Sequence, residues 1–99
     1  MSYARKVDAN HAEVRDGIRD ALPGCTIFDA AGAGDGFPDL VVGWRGMNFL
    51  LEVKPKGKKL RGVKQCEFHK NWQGHTAVVH SAAEGLAAML VAMVDQRQQ

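Results

Sequence analysis

The chain has 99 residues, 45% apolar and 24% charged, which allows one hydrophobic core in a single domain over residues 1–99 and excludes a disordered tract. Two isolated cysteines, Cys25 and Cys66, exclude a disulfide framework and a Cys-x-x-Cys zinc or redox pair, so reduced, buried thiols are expected. The net charge of +2 is unremarkable in sum, but Lys54, Lys56, Lys58, Lys59, Arg61, Lys64 and Lys70 crowd one segment against Glu67 alone.

The N-terminal Met-Ser-Tyr-Ala-Arg-Lys-Val-Asp lacks the apolar core of a signal peptide. The longest apolar run, Leu86 to Val94, falls far short of the roughly 20 residues a membrane span needs. A cytoplasmic protein with no membrane partner is expected.

Asn10 with Glu13 three residues on reads as a capping box, and Val14, Ile18 and Ala21 or Leu22 recur at helical spacing until Pro23-Gly24, predicting a helix over about 11–22. Thr26-Ile27-Phe28 reads as a short strand, and Ala30 to Gly36 as a Gly-rich loop leading to Pro38. Leu40-Val41-Val42 and Met47 to Lys54 read as an antiparallel hairpin joined through Gly43-Trp44-Arg45-Gly46. A basic loop, Pro55 to Lys59, follows. Phe68 and Trp72 fall four apart, with Gln65 and His69 beside them, in a helix from about Gly62 that stops near Gly74.

Thr76 to His80 is a fourth strand, and Ser81 with Glu84 forms a capping box for a helix through about Asp95, with a frayed end over Gln96 to Gln99. The order is α-β-β-β-α-β-α. A strand, crossover helix and strand in sequence makes the fourth strand parallel to the third, so the expected fold is α/β, a mixed β-sheet flanked by helices.

Alternation along the third strand sends Phe49, Leu51 and Val53 to one face and Leu50, Glu52 and Lys54 to the other. Asp39 starts the strand that pairs with it and can therefore lie close to Glu52. Two such carboxylates repel unless a cation stands between them, and a hard cation such as Mg²⁺ suits their oxygens. His11, His69, His75 and His80 do not cluster at metal-ligand spacing and are expected at the surface or core edge, with His69 alone near Gln65. Gly32-Ala33-Gly34-Asp35-Gly36 is followed by a strand and not a helix, so it offers no helix N-terminus to a phosphate.

Gly36-Phe37-Pro38-Asp39-Leu40, Glu52-Val53-Lys54 and Gln65 in a helix together resemble the PD-(D/E)XK nuclease superfamily. Leu51-Glu52-Val53-Lys54-Pro55 and Gln65-x-x-Phe68-His69-x-x-Trp72-x-Gly74 make the VRR-NUC branch the nearest likeness, over nearly the whole chain. The resemblance implies a restriction-endonuclease-like fold in which Asp39, Glu52 and the backbone carbonyl of Val53 hold Mg²⁺, with Mn²⁺ able to substitute. It implies that Lys54 positions or helps deprotonate the attacking water and that Gln65 contacts the lysine or the water. It matches Glu13 to an acidic residue that many members carry as an extra metal ligand; as a helix cap the same residue would simply partner Asn10. Where relatives have Ser or Thr at the start of the Gln65 helix, Arg61-Gly62 stand here, which leaves that helix start open.

The expected function is therefore a Mg²⁺-dependent DNA endonuclease. Lys56, Lys58, Lys59, Arg61 and Lys64 would hold the DNA backbone, whose phosphates carry no sequence code. A non-catalytic DNA-binding or assembly module is the alternative, and the resemblance also suggests a phage or prophage origin. Leu86 to Val94 is apolar on every face, which predicts a homodimer through the C-terminal helix, with Met89 and Met93 lining a contact stripe and four-way junctions as substrate.

Overall fold

A computed structural model describes residues 8–97; the N-terminal stretch read for a leader lies outside the described residues except for Asp8, as do Gln98 and Gln99 of the expected frayed end. The elements are α1 (His11–Ala21), β1 (Thr26–Asp29), β2 (Leu40–Trp44), β3 (Met47–Val53), α2 (Val63–Asn71), β4 (His75–Val79) and α3 (Ala82–Arg97). The protein is α/β in the expected order, with one four-stranded mixed sheet, β1-β2-β3-β4. β1 to β3 are antiparallel neighbours, and the crossover through α2 lays β4 parallel to β3.

The β2–β3 turn is tighter than expected, because the strands run on through Trp44 and resume at Met47. Only Arg45 and Gly46 remain in it, at φ 51° and 80°. Two successive positive φ values match the right-handed twist of a hairpin and pin its register. That register pairs Leu40 with Leu51 and Val42 with Phe49, so β2 and β3 share their apolar face.

This face carries the core. Val14 and Ile18 of α1 and Met89 of α3 close over Leu40, Val42, Phe49, Leu51, Val53 and Val79. α2 lies on the other face, with Leu50, Glu52 and Lys54, and buries none of its own residues. Its hold comes from rings: Phe68 meets Phe37 edge-on at 5.3 Å between centroids and stacks on Trp72 at 4.9 Å.

Several expectations fail at the level of packing. Asn10 makes no side-chain capping bond. Its Nδ2 donates instead to the carbonyls of Lys54 and His80, each at 3.0 Å, tying together the chain just past β3 and β4. At α3 the capping box does form, with Ser81 Oγ accepting from Glu84 N–H at 3.1 Å. Its reciprocal bond shifts by one residue, since Glu84 Oε1 accepts from the N–H of His80.

His11 is not peripheral: it is buried, with Nε2 2.9 Å from Asp29 Oδ2. The thiols are free but not buried, Cys25 being half-buried and Cys66 exposed on α2. Met89 points into the core and so cannot line an outer stripe with Met93; the apolar residues α3 leaves outside are Leu90, Val91 and Val94, 61%, 60% and 44% exposed. Among the described residues no helix is long and apolar enough to cross a membrane.

Candidate active site

The Leu40–Leu51 register, carried one step further, sets Asp39 opposite Glu52. Both side chains leave the sheet on the α2 face and both are buried, at 3% and 1% exposure. Asp39 is held in place by the backbone: its Oδ2 accepts the N–H of Val53 at 2.9 Å, and its carbonyl accepts the N–H of Ala30. Lys54 follows Glu52 on the same face, with Nζ 3.7 Å from Glu52 Oε2 and a side chain only 10% exposed. Its own N–H donates to Val79 O and its carbonyl accepts from Asn10, so the residue is braced from three elements.

Gln65 joins this group from α2. Its Nε2 donates to Glu52 Oε2 at 3.3 Å, while its Oε1 accepts the N–H of Arg61 at 3.1 Å. The second bond links the first turn of α2 to the residue before Gly62. A side chain from the first turn reaches back to a backbone donor ahead of the helix and ties the incoming chain to it, while the N-cap, Gly62, makes no side-chain capping bond. One glutamine thus both starts α2 and touches the carboxylate.

The Gly-rich loop positions that helix. Gly36 has φ 78°, and a side chain there would run into the backbone of Lys64 and Gln65. Loop and helix start are in direct contact, with a surface ion pair between Asp35 and Lys64 at 3.2 Å beside them. The loop is therefore the dock for α2.

Compared with protein-family models, with curated proteins and with solved structures, the chain matches none. What the site can do rests on its own geometry.

The donors suit a hard divalent cation. Two buried carboxylates face each other, and the Val53 carbonyl follows Glu52 in β3. Glu13 is exposed on α1, the helix whose Val14 and Ile18 pack against the apolar face of the sheet. Lys56, Lys58, Lys59, Arg61 and Lys64 are all exposed along the loop and helix start beside Lys54. A groove of about 450 Å³ between β4 and α3 is lined by residues such as His75, Ala88 and Val91 and includes neither carboxylate nor Lys54.

Three residues around the site escaped sequence reading in their actual roles. Asn10 brackets Lys54. His80 places Nε2 2.7 Å from the Lys58 carbonyl and Nδ1 2.8 Å from Glu84 Oε1, joining the basic loop to α3. The bond to the Lys58 carbonyl, then the one to Glu84, raises its pKa above the usual imidazole value. His69 is half-buried beneath the site; burial lowers its pKa, the Asp39 charge opposes that and the Lys54 charge adds to it. The one available signal for His80 was its place next in sequence after β4, one step past the Val53–Val79 pair that ends the parallel ladder.

Proposed function

We propose that this protein is a Mg²⁺-dependent endonuclease that hydrolyses DNA phosphodiester bonds, in keeping with its resemblance to the VRR-NUC branch of the PD-(D/E)XK nucleases. The observation that carries this reading is the buried pair Asp39 and Glu52 with Lys54 Nζ 3.7 Å from Glu52, at the edge of a basic loop. Two carboxylates and a lysine in a buried cluster are costly to keep unless they do chemistry.

Asp39, Glu52 and the Val53 carbonyl would hold the cation, Mn²⁺ serving in place of Mg²⁺. When bound, it supplies a charge that makes water more acidic and neutralises the scissile phosphate. Lys54 Nζ is placed to orient the attacking water and to take part in moving its proton. Gln65 keeps Glu52 aligned. Lys56, Lys58, Lys59, Arg61 and Lys64 bind the DNA backbone by charge, so recognition follows DNA shape. Two copies pairing through Leu90, Val91 and Val94 of α3 would present two sites to a branched substrate such as a four-way junction.

The test is a cleavage panel of junction, flap, single-stranded and linear DNA, with Mg²⁺ and with chelator. Wild type cuts only with metal, and Asp39→Ala or Glu52→Ala abolishes cutting while DNA binding stays largely intact. Lys58→Ala and Lys59→Ala each lower the slope of log affinity against log salt by about 1. Metal-independent cutting, or full activity in either carboxylate variant, would remove the assignment; no cutting of any substrate would leave a DNA-binding module.

A further inference from the structure

Gln65, Phe68 and Trp72 follow one another at the i, i+3 and i+7 spacing of a single helix face, with Trp72 as the C-cap of α2. The stripe begins at the carboxylates. Gln65 donates to Glu52, and Phe37, in the loop just ahead of Asp39, meets Phe68 edge-on. It ends in the open. Trp72 stacks on Phe68 with 4.9 Å between centroids and 16° between planes. Its Nε1 lies 2.8 Å from where a side chain at Gly74 would begin, so the outgoing chain passes close against the indole edge. The ring is fixed on one face and one edge, yet the residue is 44% exposed, which leaves the other face to solvent.

Charge narrows what can lie on that face. Lys64 and Lys70 are exposed on the same helix, where Glu67 is the one acid, and Lys56, Lys58, Lys59 and Arg61 lie on the chain leading into it. A second copy of this chain would bring like charges to the contact, and an apolar peptide would draw nothing from the lysines. A nucleic-acid strand brings phosphates to the lysines and a flat π-face to the ring, whichever base it carries. In a duplex those faces are hidden in the stack, so the base that meets Trp72 must be unpaired.

We propose that Trp72, backed by Phe68, is a stacking platform for an unpaired base of the DNA substrate, so that the protein favours strands with single-stranded character beside the bond that is cut. The inference rests on the nuclease reading and names the substrate feature that reading leaves open. Trp72 stands about two turns along α2 from Gln65, roughly 10 Å. That is the reach of about three nucleotide steps along one strand.

The experiment measures binding of a labelled oligothymidylate, and of the same strand paired with its complement, to the full chain with chelator present so that nothing is cut. Emission is followed in a Trp44→Phe background, where Trp72 is the remaining tryptophan. The single strand should quench Trp72. Trp72→Ala should weaken single-strand binding about 5- to 100-fold and duplex binding less than about twofold, with Trp72→Phe recovering most of the loss. Quenching and the Trp72→Phe variant report on the ring directly if Trp72→Ala fails to fold. Absent quenching, unchanged single-strand affinity in Trp72→Ala, or equal losses for the two substrates overturns the proposal. So does a wild-type dimer that Trp72→Ala turns into a monomer, which would make the ring a contact between copies. Cutting with Mg²⁺ but without stacking removes the platform alone, whereas stacking without any Mg²⁺-dependent cutting removes the nuclease reading and keeps the platform.

Discussion

On one face of the sheet, α1 and α3 close over Leu40, Val42, Phe49, Leu51, Val53 and Val79 in a continuous apolar core. On the other, α2 covers Leu50, Glu52 and Lys54 without burying any of its own residues, held by ring contacts, one His–Thr hydrogen bond and the Gln65 links. The first face has the contact density that resists global unfolding, and the second has few apolar contacts, the mark of an element that can open by itself. The buried carboxylates and lysine lie where the packing is thin. Buried charge is therefore concentrated on the face that contributes least to stability.

The largest effect should come from cutting the same kind of side chain on each face. Phe49→Ala is expected to cost about 3–5 kcal/mol, a large share of the roughly 5–15 kcal/mol available to a domain. Trp72→Ala, on the α2 face and 44% exposed, should cost only about 1 kcal/mol. Urea denaturation of both variants measures the contrast, and equal losses would mean that the two faces share the load.

Gly36→Ala tests whether the second face can be disturbed alone. The positive φ and the collision with the Lys64–Gln65 backbone together should cost roughly 1–3 kcal/mol. Because that backbone carries Gln65, Mg²⁺-dependent cutting should fall further than global stability does. Amide exchange should quicken in α2 and remain slow in β3; uniform quickening would argue against two separable faces.

The smallest effect is a pH dependence with opposite signs at two histidines. His80 has its pKa raised by the Lys58 carbonyl and by Glu84, so its stabilising contribution is complete below the unfolded value of about 6.5 and is lost as pH rises through the folded value. His69 has its pKa lowered by burial, so the unfolded chain takes up the proton first and stability is lost as pH falls from about 6.5 through the folded value. Melting temperature against pH should therefore flatten on its alkaline side in His80→Gln and on its acid side in His69→Gln. An unchanged alkaline side in His80→Gln would show that the basic loop is held without the imidazole.

How much of this was legible beforehand depends on the range of the interaction. Strand alternation alone sets Glu52 and Lys54 on one face, and the hairpin brings Asp39 to Glu52, because both are decided within about fifteen residues of chain. Gln65 stands out by likeness to a motif, but nothing in that motif reveals its bond to the N–H of Arg61. Asn10 looked like an ordinary cap because nothing nearby in the sequence reveals carbonyls 44 and 70 residues away. Met89 looked available for an interface because an all-apolar helix has no periodicity from which its inner face could be read.

The sequence by itself determined the element order, the parity of β3 and the candidate pair Asp39 and Glu52, all consequences of local periodicity and turn chemistry. Tertiary structure decided which histidines are buried and what they bond, that Met89 faces the core, and that α2 rests on Gly36. Each of those depends on how separate elements come to rest against one sheet. That outcome is governed by packing and by the pairing of buried donors with acceptors across the whole chain, which no short window of residues contains.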